Sequence, residues 1–377
     1  MRVGIDARAL VGPRTGIGRF LEGMLGALAR ADHTHEFVLF APRPVAFDLP
    51  NGRWRTRGFS GPKGTNRSLW GSLWLQLYGP WLIRQTQIDV FWGPMFVLPI
   101  LLPQIPMLLT VHDLVSVLHP ETMAVYNYLT MRTLLRPSLW RAQHITADSR
   151  VTAHDLHERL AIPTEKISVV YPGVAPQFHL YEPGDIRPRV ASIFGLTTPY
   201  LLAVSTLEPR KNLKTILLAF AALPESFRRQ WPLVVAGGHG WKNADIRGIA
   251  SPLVHEGSVR ILGYVADADL PWLYAGAMLF LFPSIYEGFG LPVVEAMASG
   301  IPVAASDIPV LREIADDSAQ FVPAADVSGW SAVIRGLIED PTRCQALRTA
   351  GLTRAARFNF DESAGRVLEL LERLARM

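Results

Sequence analysis

The stretch E-G-F-G-L-P-V-V-E, residues 287–295, decides the fold, because its pattern is typical of a glycine turn that leads into a helix. Proline is favoured at the first helical position, so Pro292 predicts where the helix starts. The amides of residues 288–291 then lie at the positive end of the helix dipole without intrahelical partners. A phosphate group fits that position. The alternative is a capped helix with two solvated side chains, Glu287 and Glu295.

A second stretch, S-T-L-E-P-R-K-N-L (residues 205–213), follows an apolar strand expected at residues 200–204. It places Arg210 and Lys211 at the start of the next helix. Because a helix dipole disfavours cations at that end, two merely solvated basic side chains would be electrostatically unfavourable there. Paired cations suit a diphosphate, so this stretch predicts a second part of the same phosphate site.

Short apolar runs alternate with helical patterns along the 377 residues, a length that suits two domains. The alternation predicts an α/β fold of two doubly wound, Rossmann-like domains. We expect a first domain at residues 1–180, onto which the amphipathic last helix (361–377) packs back, and a second domain at 181–360. Ligands of such sheets bind beyond the carboxyl ends of the strands, so two facing domains would form a cleft. Strands are expected near Val3, Phe37, Val90, Leu108, Ile145, Val169, Leu201, Leu233, Ile261, Leu279, Val303 and Phe321.

These motifs, together with G-Y-V-A-D (residues 263–267) and the longer run from F-P-S-I-Y-E-G to S-G-I-P-V (282–303), resemble the retaining GT-B glycosyltransferases of family four. The resemblance is strong over residues 201–322 and weaker, though colinear, over 3–174. It implies the GT-B fold, two Rossmann-like domains facing a cleft. It also implies transfer of a hexose from a nucleotide diphosphate sugar to a hydroxyl of a glycan or lipid-linked oligosaccharide, without a metal or other cofactor.

The resemblance also implies the catalytic residues. Glu287 would orient the sugar hydroxyls, while Arg210 and Lys211 would stabilise negative charge on the distal phosphate of the donor. His112, at the end of T-V-H-D-L (residues 110–114), would face the donor sugar and support its positive charge. A capped turn is the alternative for His112 and the aspartate that follows it.

The donor-binding residues follow from the same resemblance. A glycine turn, T-G-I-G-R (residues 15–19), would let the first domain approach the distal phosphate, although a plain loop is an equal alternative. This turn lacks the third glycine of a dinucleotide fingerprint, because Leu21 stands there, so no Rossmann cofactor is expected. The implied donor-binding residues are Gly16, Gly18, Val265, Asp267, Gly288, Phe289, Gly290, Leu291 and Glu295.

GDP-mannose is the expected donor, because the resemblance is greatest to bacterial mannosyltransferases of polysaccharide assembly. Asp267 could accept hydrogen bonds from guanine N1 and N2, a paired donor edge that uracil lacks. The same aspartate could instead cap a helix. A UDP-sugar transferase, a nucleotide-sugar 2-epimerase of the same architecture and a non-enzymatic sugar-binding subunit remain the alternatives.

The sequence predicts neither a metal site nor a disulfide. Asp267 and Asp269 form a D-x-D pattern, which holds a divalent ion in another class of sugar transferase, but here they precede a helix and are expected to cap it. The single Cys344 and an N-terminus that enters a strand without a signal sequence favour the cytoplasm, with the inner face of the cell membrane as a second option. The uncharged run 90–111 contains four prolines, which predict strand, loop, strand rather than a membrane span.

Positive charge is concentrated in the first half, since residues 1–180 carry a net charge of +6 and residues 181–377 a net charge of −2. Residues 49–88 contain no acidic residue, and basic and aromatic residues alternate there. Such a composition predicts peripheral binding to an anionic membrane, whereas no motif accompanies it that would indicate nucleic-acid binding. The alternative places the tryptophans in the core. The residues concerned are Arg53, Arg55, Arg57, Lys63, Arg67 and Arg84 with Trp54, Trp70, Trp74, Tyr78 and Trp81.

One departure from the family pattern concerns the stretch S-D-I-P-V-L-R-E-I-A-D-D-S-A (residues 306–319). Asp316 stands where relatives usually have glycine. The substitution predicts an altered turn rather than altered chemistry.

Overall fold

The computed structural model describes residues 1–12, 14–31, 34–58, 67–101, 105–238 and 240–377, and for residues 67–70 it describes the backbone alone. The chain divides into two compact units. The first unit is Met1–Gly173 together with Asn359–Met377, and the second is Val174–Phe358. Each unit holds one sheet of parallel strands with helices, which confirms the predicted α/β class.

The first unit is built on a seven-stranded parallel sheet with the order β3-β2-β1-β4-β5-β6-β7. The order reverses between β1 and β4, as in a doubly wound sheet. Its strands are β1 (Arg2–Asp6), β2 (Glu36–Phe40), β3 (Trp54–Arg57), β4 (Val90–Gly93), β5 (Met107–Val111), β6 (His144–Ala147) and β7 (Ile167–Val169).

Helices cover this sheet and complete two apolar core clusters. The last helix of the chain belongs to this unit and contacts the first helix. Its predicted apolar stripe is buried, and its Phe360 end lies so close to Gly23 that a side chain there would clash. The helices are α1 (Gly16–Ala31), α2 (Arg67–Leu77), α3 (Gly79–Thr86), α4 (Val115–Leu118), α5 (Val125–Arg141), α6 (Arg150–Leu160) and α16 (Phe360–Ala375).

The edge strand β3 was not expected from the sequence. Trp54 is buried and stacks on Phe37 with ring centroids 4.2 Å apart, while Arg55, Thr56 and Arg57 are exposed. Charged side chains on an edge strand discourage pairing with another chain. Because of these charged residues, β3 does not contain the apolar run by which the other strands were predicted.

The second unit is built on a six-stranded parallel sheet with the order β10-β9-β8-β11-β12-β13. All six of its strands lie where the sequence predicts them. The strands are β8 (Tyr200–Val204), β9 (Leu233–Ala236), β10 (Val259–Gly263), β11 (Ala277–Phe282), β12 (Val303–Ser306) and β13 (Gln320–Val322). The helices are α7 (Pro183–Phe194), α8 (Leu213–Ala221), α9 (Glu225–Gln230), α10 (Ala244–Glu256), α11 (Leu270–Ala275), α12 (Leu291–Ala298), α13 (Pro309–Ala315), α14 (Val327–Glu339) and α15 (Pro341–Ala355).

The boundary between the units follows Gly173, seven residues before the expected boundary at residue 180. The amide of Val174 donates to the carbonyl of Phe358, 3.0 Å away, and the ring of Phe178 packs edge-on against Tyr274. These contacts assign the segment that follows Gly173 to the second unit.

The basic, tryptophan-containing stretch of the first unit has both buried and exposed members. Trp54 and Trp74 are buried, and Arg55 pairs with Glu36. Tyr78 and Trp81 are exposed. Lys63 lies outside the described residues, and the side chains of Arg67 and Trp70 are not described either. Within the part of the chain that the structure describes, no helix has both the length and the apolar character to cross a membrane.

Replacing Asp316 by glycine is expected to raise the free energy of unfolding by about 1 kcal/mol, because the aspartate has a backbone conformation that suits glycine. It follows α13 with φ 51° and ψ −133°. Urea unfolding would measure the change. Asp317 is also exposed and has no positive φ, so Asp317→Gly serves as the matched control and is expected to lower stability. A less stable Asp316→Gly variant would contradict the strain.

Candidate active site

Four charged side chains form a cluster at the carboxyl edge of the second sheet. Arg210 and Lys211 lie in a 3-10 turn after β8, and Glu287 lies in the loop after β11. Because β8 and β11 are neighbours in the sheet, these two loops meet, and the amide of Ile285 donates to the carbonyl of Arg210 at 3.0 Å. The fourth side chain, Glu208, precedes the turn.

The charges of this cluster pair with one another at short range. Lys211 Nζ donates to Glu287 Oε1 at 2.5 Å, and Arg210 Nη1 donates to Glu287 Oε2 at 3.0 Å. The other end of the guanidinium, Nη2, donates to Glu208 Oε1 at 2.8 Å. The side chains are all at most 15% exposed. The charge cluster, defined as Glu208, Arg210, Lys211 and Glu287, thus holds two cations and two anions out of water.

Burial and pairing act against each other on the titration of this cluster. Burial alone would raise the pKa of Glu287, but the charges of Lys211 and Arg210 outweigh it and lower that pKa to about 2. For Lys211, burial is the largest cause and Arg210 adds to it, so the pKa of its ammonium falls below the ordinary value despite Glu287. Glu287 is therefore ionised at neutral pH.

The alternative of two solvated glutamates is wrong, because Glu287 and Glu295 are 8% and 3% exposed. The charge cluster also explains why cations are tolerated at a helix start. The charge of Lys211 is balanced by Glu287, which lies on a loop 76 residues further along the chain. The charge of Arg210 is balanced by Glu208. Glu208 was missed in the sequence, although its spacing of two residues from Arg210 was a signal.

The glycine turn leads into α12 one residue earlier than expected. The helix begins at Leu291, so Pro292 is its second residue, and Gly290 caps it with φ 104°. A side chain on Gly290 would meet Leu311 at 2.8 Å. Pro292 has no amide hydrogen and the amide of Val293 donates to the carbonyl of Gly290 at 2.9 Å, so the amide of Leu291 is the one at this N-terminus that suits an anion.

The other predicted residues of this turn are less accessible. Gly288, Phe289 and Gly290 are all buried. The ring of Phe289 packs edge-on against Phe358, with centroids 5.3 Å apart, which directs it into the unit's interior. Any contact that residues 288–290 make with the sugar donor must therefore come from backbone atoms.

Glu295 lies one turn inside α12, as predicted, and is held from a neighbouring helix. The hydroxyl of the fully buried Tyr274, on α11, donates to Glu295 Oε2 at 3.1 Å. The rotamer of Glu295 is thereby fixed. Tyr274 was not identified from the sequence, because nothing in the pattern links the two helices.

The G-Y-V-A-D stretch follows β10 at the same edge of the sheet. Val265 and Asp267 are half-buried there, and Tyr264 is exposed. Asp269 stands at the N-cap of α11 but its side chain makes no capping hydrogen bond, contrary to the expected cap. Among the described residues, no three His, Cys, Asp or Glu side chains are grouped as a metal site would require.

His112 follows β5 in the first unit, and acceptors engage both nitrogens of its ring. Nδ1 lies 2.7 Å from Asp148 Oδ2, and Nε2 lies 2.8 Å from the carbonyl oxygen of Pro94. The rings of Phe20 and Phe96 pack edge-on against the imidazole. Burial lowers the pKa of His112, but Asp148 and the Pro94 carbonyl outweigh burial and raise it above the ordinary 6.5. Both ring nitrogens are thus engaged, and the backbone carbonyl of His112 accepts from Thr152 Oγ1 at 3.4 Å.

Asp148, which follows β6, was not identified from the sequence. It is 5% exposed, and its Oδ1 is buried without a hydrogen-bond partner in the described part of the chain. Because β5 and β6 are paired, residues that follow them meet across 36 positions of sequence. Asp148 acts as a positioning residue for His112.

Replacing Asp148 by asparagine is expected to lower the pKa of His112 and to reduce the free energy of unfolding by about 3 kcal/mol, as for a buried pair that loses one partner. An NMR titration of the imidazole would measure the first effect. For His112, the stabilisation is complete below pH 6.5 and is lost as pH rises through its raised pKa in the folded state. Burial also raises the pKa of Asp148, so the ion pair is present only above the pH at which that carboxyl is protonated. The stability difference between wild type and variant should therefore shrink with rising pH.

Asp113→Asn is the matched control for this experiment. The carboxylate of Asp113 accepts from the amide of Val115 at 3.0 Å and has a minor influence on His112. An unchanged His112 titration in Asp148→Asn, or an equal shift in both variants, would contradict the pairing.

The two glycines expected to form a phosphate-binding turn instead lie inside α1. Gly16 is its first residue, is exposed and has open space around it. Gly18 is buried, and a side chain there would meet the carbonyl oxygen of Ala9 at 2.9 Å. Gly18 therefore has a packing role, and Gly16 is the accessible one of the pair.

Two family models match the chain in succession. Residues 14–178 match the model described as Glycosyltransferase Family 4, and residues 189–354 match the model described as Glycosyl transferases group 1. All but the last five residues of the first match lie in the unit that holds His112, and the second match lies wholly in the unit that holds the charge cluster.

Known proteins resemble the chain over almost its full length. O-antigen chain mannosyltransferase B of Escherichia coli is 29% identical over 362 residues, which cover 93% of each chain. HepE of Anabaena, solved in complex with UDP and glucose, has a TM-score of 0.76 at 18% identity and covers 98% of this chain and 99% of its own. WaaG, a glycosyltransferase involved in lipopolysaccharide biosynthesis, has a TM-score of 0.77 at 17% identity and covers 98% of this chain and 99% of its own. The structural likeness confirms the GT-B fold.

Proposed function

We propose that the chain, which belongs to glycosyltransferase family 4 and is a glycosyltransferase, uses GDP-mannose as its donor. The mannose is transferred with retention of anomeric configuration. The acceptor is a hydroxyl of a glycan or a lipid-linked oligosaccharide in polysaccharide biosynthesis. The O-antigen chain mannosyltransferase of Escherichia coli aligns with this chain over 93% of its own length. That similarity supports both mannose as the sugar and the class of acceptor.

The charge cluster is the observation that supports the chemistry. It lies at the carboxyl edge of a doubly wound sheet, where such folds bind their ligands, and its Glu287 is on the loop that runs into the N-terminus of α12. As the bond between sugar and nucleotide breaks, negative charge grows on the distal phosphate. Buried cations and helix amides stabilise that charge without reorganising solvent, so we assign the role to Arg210, Lys211 and the amide of Leu291, with no metal required.

The remaining roles are part of the same proposal. Glu287 accepts from sugar hydroxyls once the phosphate draws the cations toward itself. Glu295, oriented by Tyr274, accepts from the ribose. The backbone carbonyl of His112 supports the positive charge of the sugar, and the acceptor attacks from the face that the nucleotide leaves. Retention by this route needs no second carboxylate as nucleophile, unlike the retaining hydrolases.

The choice of GDP over UDP depends on Asp267. Its carboxylate follows the G-Y-V turn, where a nucleobase would lie beyond the strand ends, and guanine offers it two donors. HepE binds UDP, so a UDP-sugar is the direct competitor. If the carboxylate accepts hydrogen bonds from guanine, an Asp267→Asn variant should no longer bind GDP in preference to UDP.

Two measurements test the proposal. GDP, UDP and ADP are compared for thermal stabilisation, since a nucleotide that binds the folded state raises the melting temperature by mass action. Transfer is then compared for GDP-mannose, UDP-glucose and UDP-N-acetylglucosamine. A preference for either UDP donor would refute the choice of donor, and release of an epimerised free sugar would instead indicate a 2-epimerase.

We propose in addition that the protein associates peripherally with an anionic membrane, because an amphiphilic acceptor remains at the bilayer. Such attachment should weaken as ionic strength rises.

A further inference from the structure

Large exposed hydrophobic side chains are concentrated in one part of the first unit. Of the sixteen found among the described residues, nine lie between residues 73 and 140, on α2 to α5 and the loop before β5. Scattered exposed hydrophobics need no explanation, whereas a concentration of them marks an interaction surface. The nine are Leu73, Leu77, Tyr78, Trp81, Leu101, Val117, Val125, Leu129 and Trp140.

The outer side of α5 shows the pattern most clearly. Val125, Leu129 and Trp140 are 69%, 50% and 78% exposed. Arg132 and Arg136 are also exposed and lie between them at steps of three and four residues, so all five share one stripe of the helix. Leu135 and Leu139 of the same helix belong to the core. The helix is therefore fixed, with an apolar and basic face turned to solvent.

Two neighbouring helices carry further exposed apolar side chains. Helix α2 contacts both α3 and α5. Leu73 and Leu77, one turn apart, are exposed on α2, and Trp81 is 57% exposed on α3. We define the docking face as the exposed side chains of Leu73, Leu77, Trp81, Val125, Leu129, Arg132, Arg136 and Trp140.

The charge of these helices identifies the partner. No aspartate or glutamate occurs in α2, α3 or α5, whereas Arg67, Arg84, Arg132, Arg136 and Arg141 do. Tryptophan and arginine beside aliphatic side chains suit the boundary between lipid head groups and acyl chains, where the rings lie at the interface and the guanidinium reaches phosphate. A protein partner would have to match apolar residues spread over three helices, while a bilayer accepts them without a specific shape.

We propose that the docking face binds the anionic surface of a lipid bilayer. It retains Trp81 from the lipid surface expected at residues 49–88, but not Trp54 and Trp74, which are in the core. The inference rests on the proposed use of a membrane-bound acceptor. It sets the first unit, rather than the charge cluster, against the lipid.

The test is co-sedimentation of the full chain with phosphatidylcholine vesicles that contain one quarter phosphatidylglycerol, at low salt. The double variant Leu129→Glu with Trp140→Glu should bind at least about tenfold more weakly. Arg132→Ser with Arg136→Ser should weaken binding about 25-fold, since each surface cation contributes about fivefold, and should flatten the dependence on salt. Val254→Glu, at a 44% exposed valine on α10 of the second unit, is the matched control and should bind as wild type does.

Three outcomes would overturn the proposal. The first is no binding of wild type to anionic vesicles at low salt. The second is loss of binding in Arg53→Ser with Arg55→Ser and Arg57→Ser but not in the docking-face variants. The third is a wild-type dimer that the Leu129→Glu and Trp140→Glu variant makes monomeric without any vesicle binding, which would assign the face to self-association. Equal melting temperatures establish that the variants are folded.

A lipid-free acceptor separates this inference from the proposed function. Docking-face variants should transfer sugar to such an acceptor at the wild-type rate, because the face lies apart from the charge cluster in sequence and unit. Wild type that binds vesicles but transfers no sugar would refute the proposed function and leave the docking face standing.

Discussion

Replacing Glu287 by glutamine is expected to lower sugar transfer by about 100-fold or more, the scale seen when one preorganised electrostatic contact is removed. Glutamine retains the size of the side chain and one acceptor oxygen. It loses the charge that orients Lys211 and Arg210 at 2.5 and 3.0 Å. It also loses the second carboxylate oxygen that would accept from a sugar hydroxyl.

Nucleotide affinity should respond differently from turnover in this variant. Without Glu287, the two cations are no longer balanced by that carboxylate, so a diphosphate should bind as tightly as in wild type or more tightly. Calorimetric titration with GDP beside steady-state transfer would separate the two quantities. A parallel loss of GDP binding and turnover would contradict the assignment of Glu287 to the sugar.

Acid unfolding gives an independent measure of the same ion pairs. The pKa of folded Glu287 is about 2, below the ordinary 4.5. The stabilisation is therefore present above pH 4.5 and is lost as pH falls toward 2, about 3 kcal/mol in all. Glu287→Gln should lack this part of the acid transition. Identical acid profiles would place Glu287 outside the buried pairs.

Replacing Lys211 by alanine is expected to weaken nucleotide diphosphate binding and transfer together, each by about 2 to 4 kcal/mol for a desolvated phosphate contact. The ammonium is 14% exposed and lies between Glu287 and the ring of Phe282. Its removal takes away one of two buried cations and leaves Glu287 with Arg210 alone. Isothermal titration with GDP and initial rates of transfer measure the two effects.

Lys214→Ala is the control for Lys211→Ala. Lys214 is on the adjoining helix α8, is 53% exposed and lies 3.8 Å from Asp245, so its loss should leave both quantities near the wild-type values. Unchanged GDP affinity in Lys211→Ala would move the diphosphate to another part of the second unit. Equal losses in the two lysine variants would indicate a general effect of surface charge.

Burial patterns were predictable only where one face of an element is uniformly apolar. The last helix met this condition, and its stripe of Val367, Leu370, Leu371 and Leu374 is buried as expected. The stretch around residues 53–57 did not, because Trp54 alone faces the core while its neighbours are charged. Helix α5 mixes arginine with apolar residues on its outer side, so its docking face could be recognised only from exposure.

The sequence by itself determined the α/β class, the six strands of the second sheet and the position of Arg210, Lys211, Glu287 and Glu295 in loops and a helix start after strands. Apolar periodicity, glycine and proline determine secondary structure over a few neighbouring residues, so their effects can be predicted from the sequence. The tertiary structure alone decided which charges pair. Glu287 meets Lys211 across 76 residues because β8 and β11 are neighbours, and Asp148 meets His112 across 36 because β5 and β6 are. Strand order brings these groups together and removes water from them, and neither effect depends on spacing along the chain.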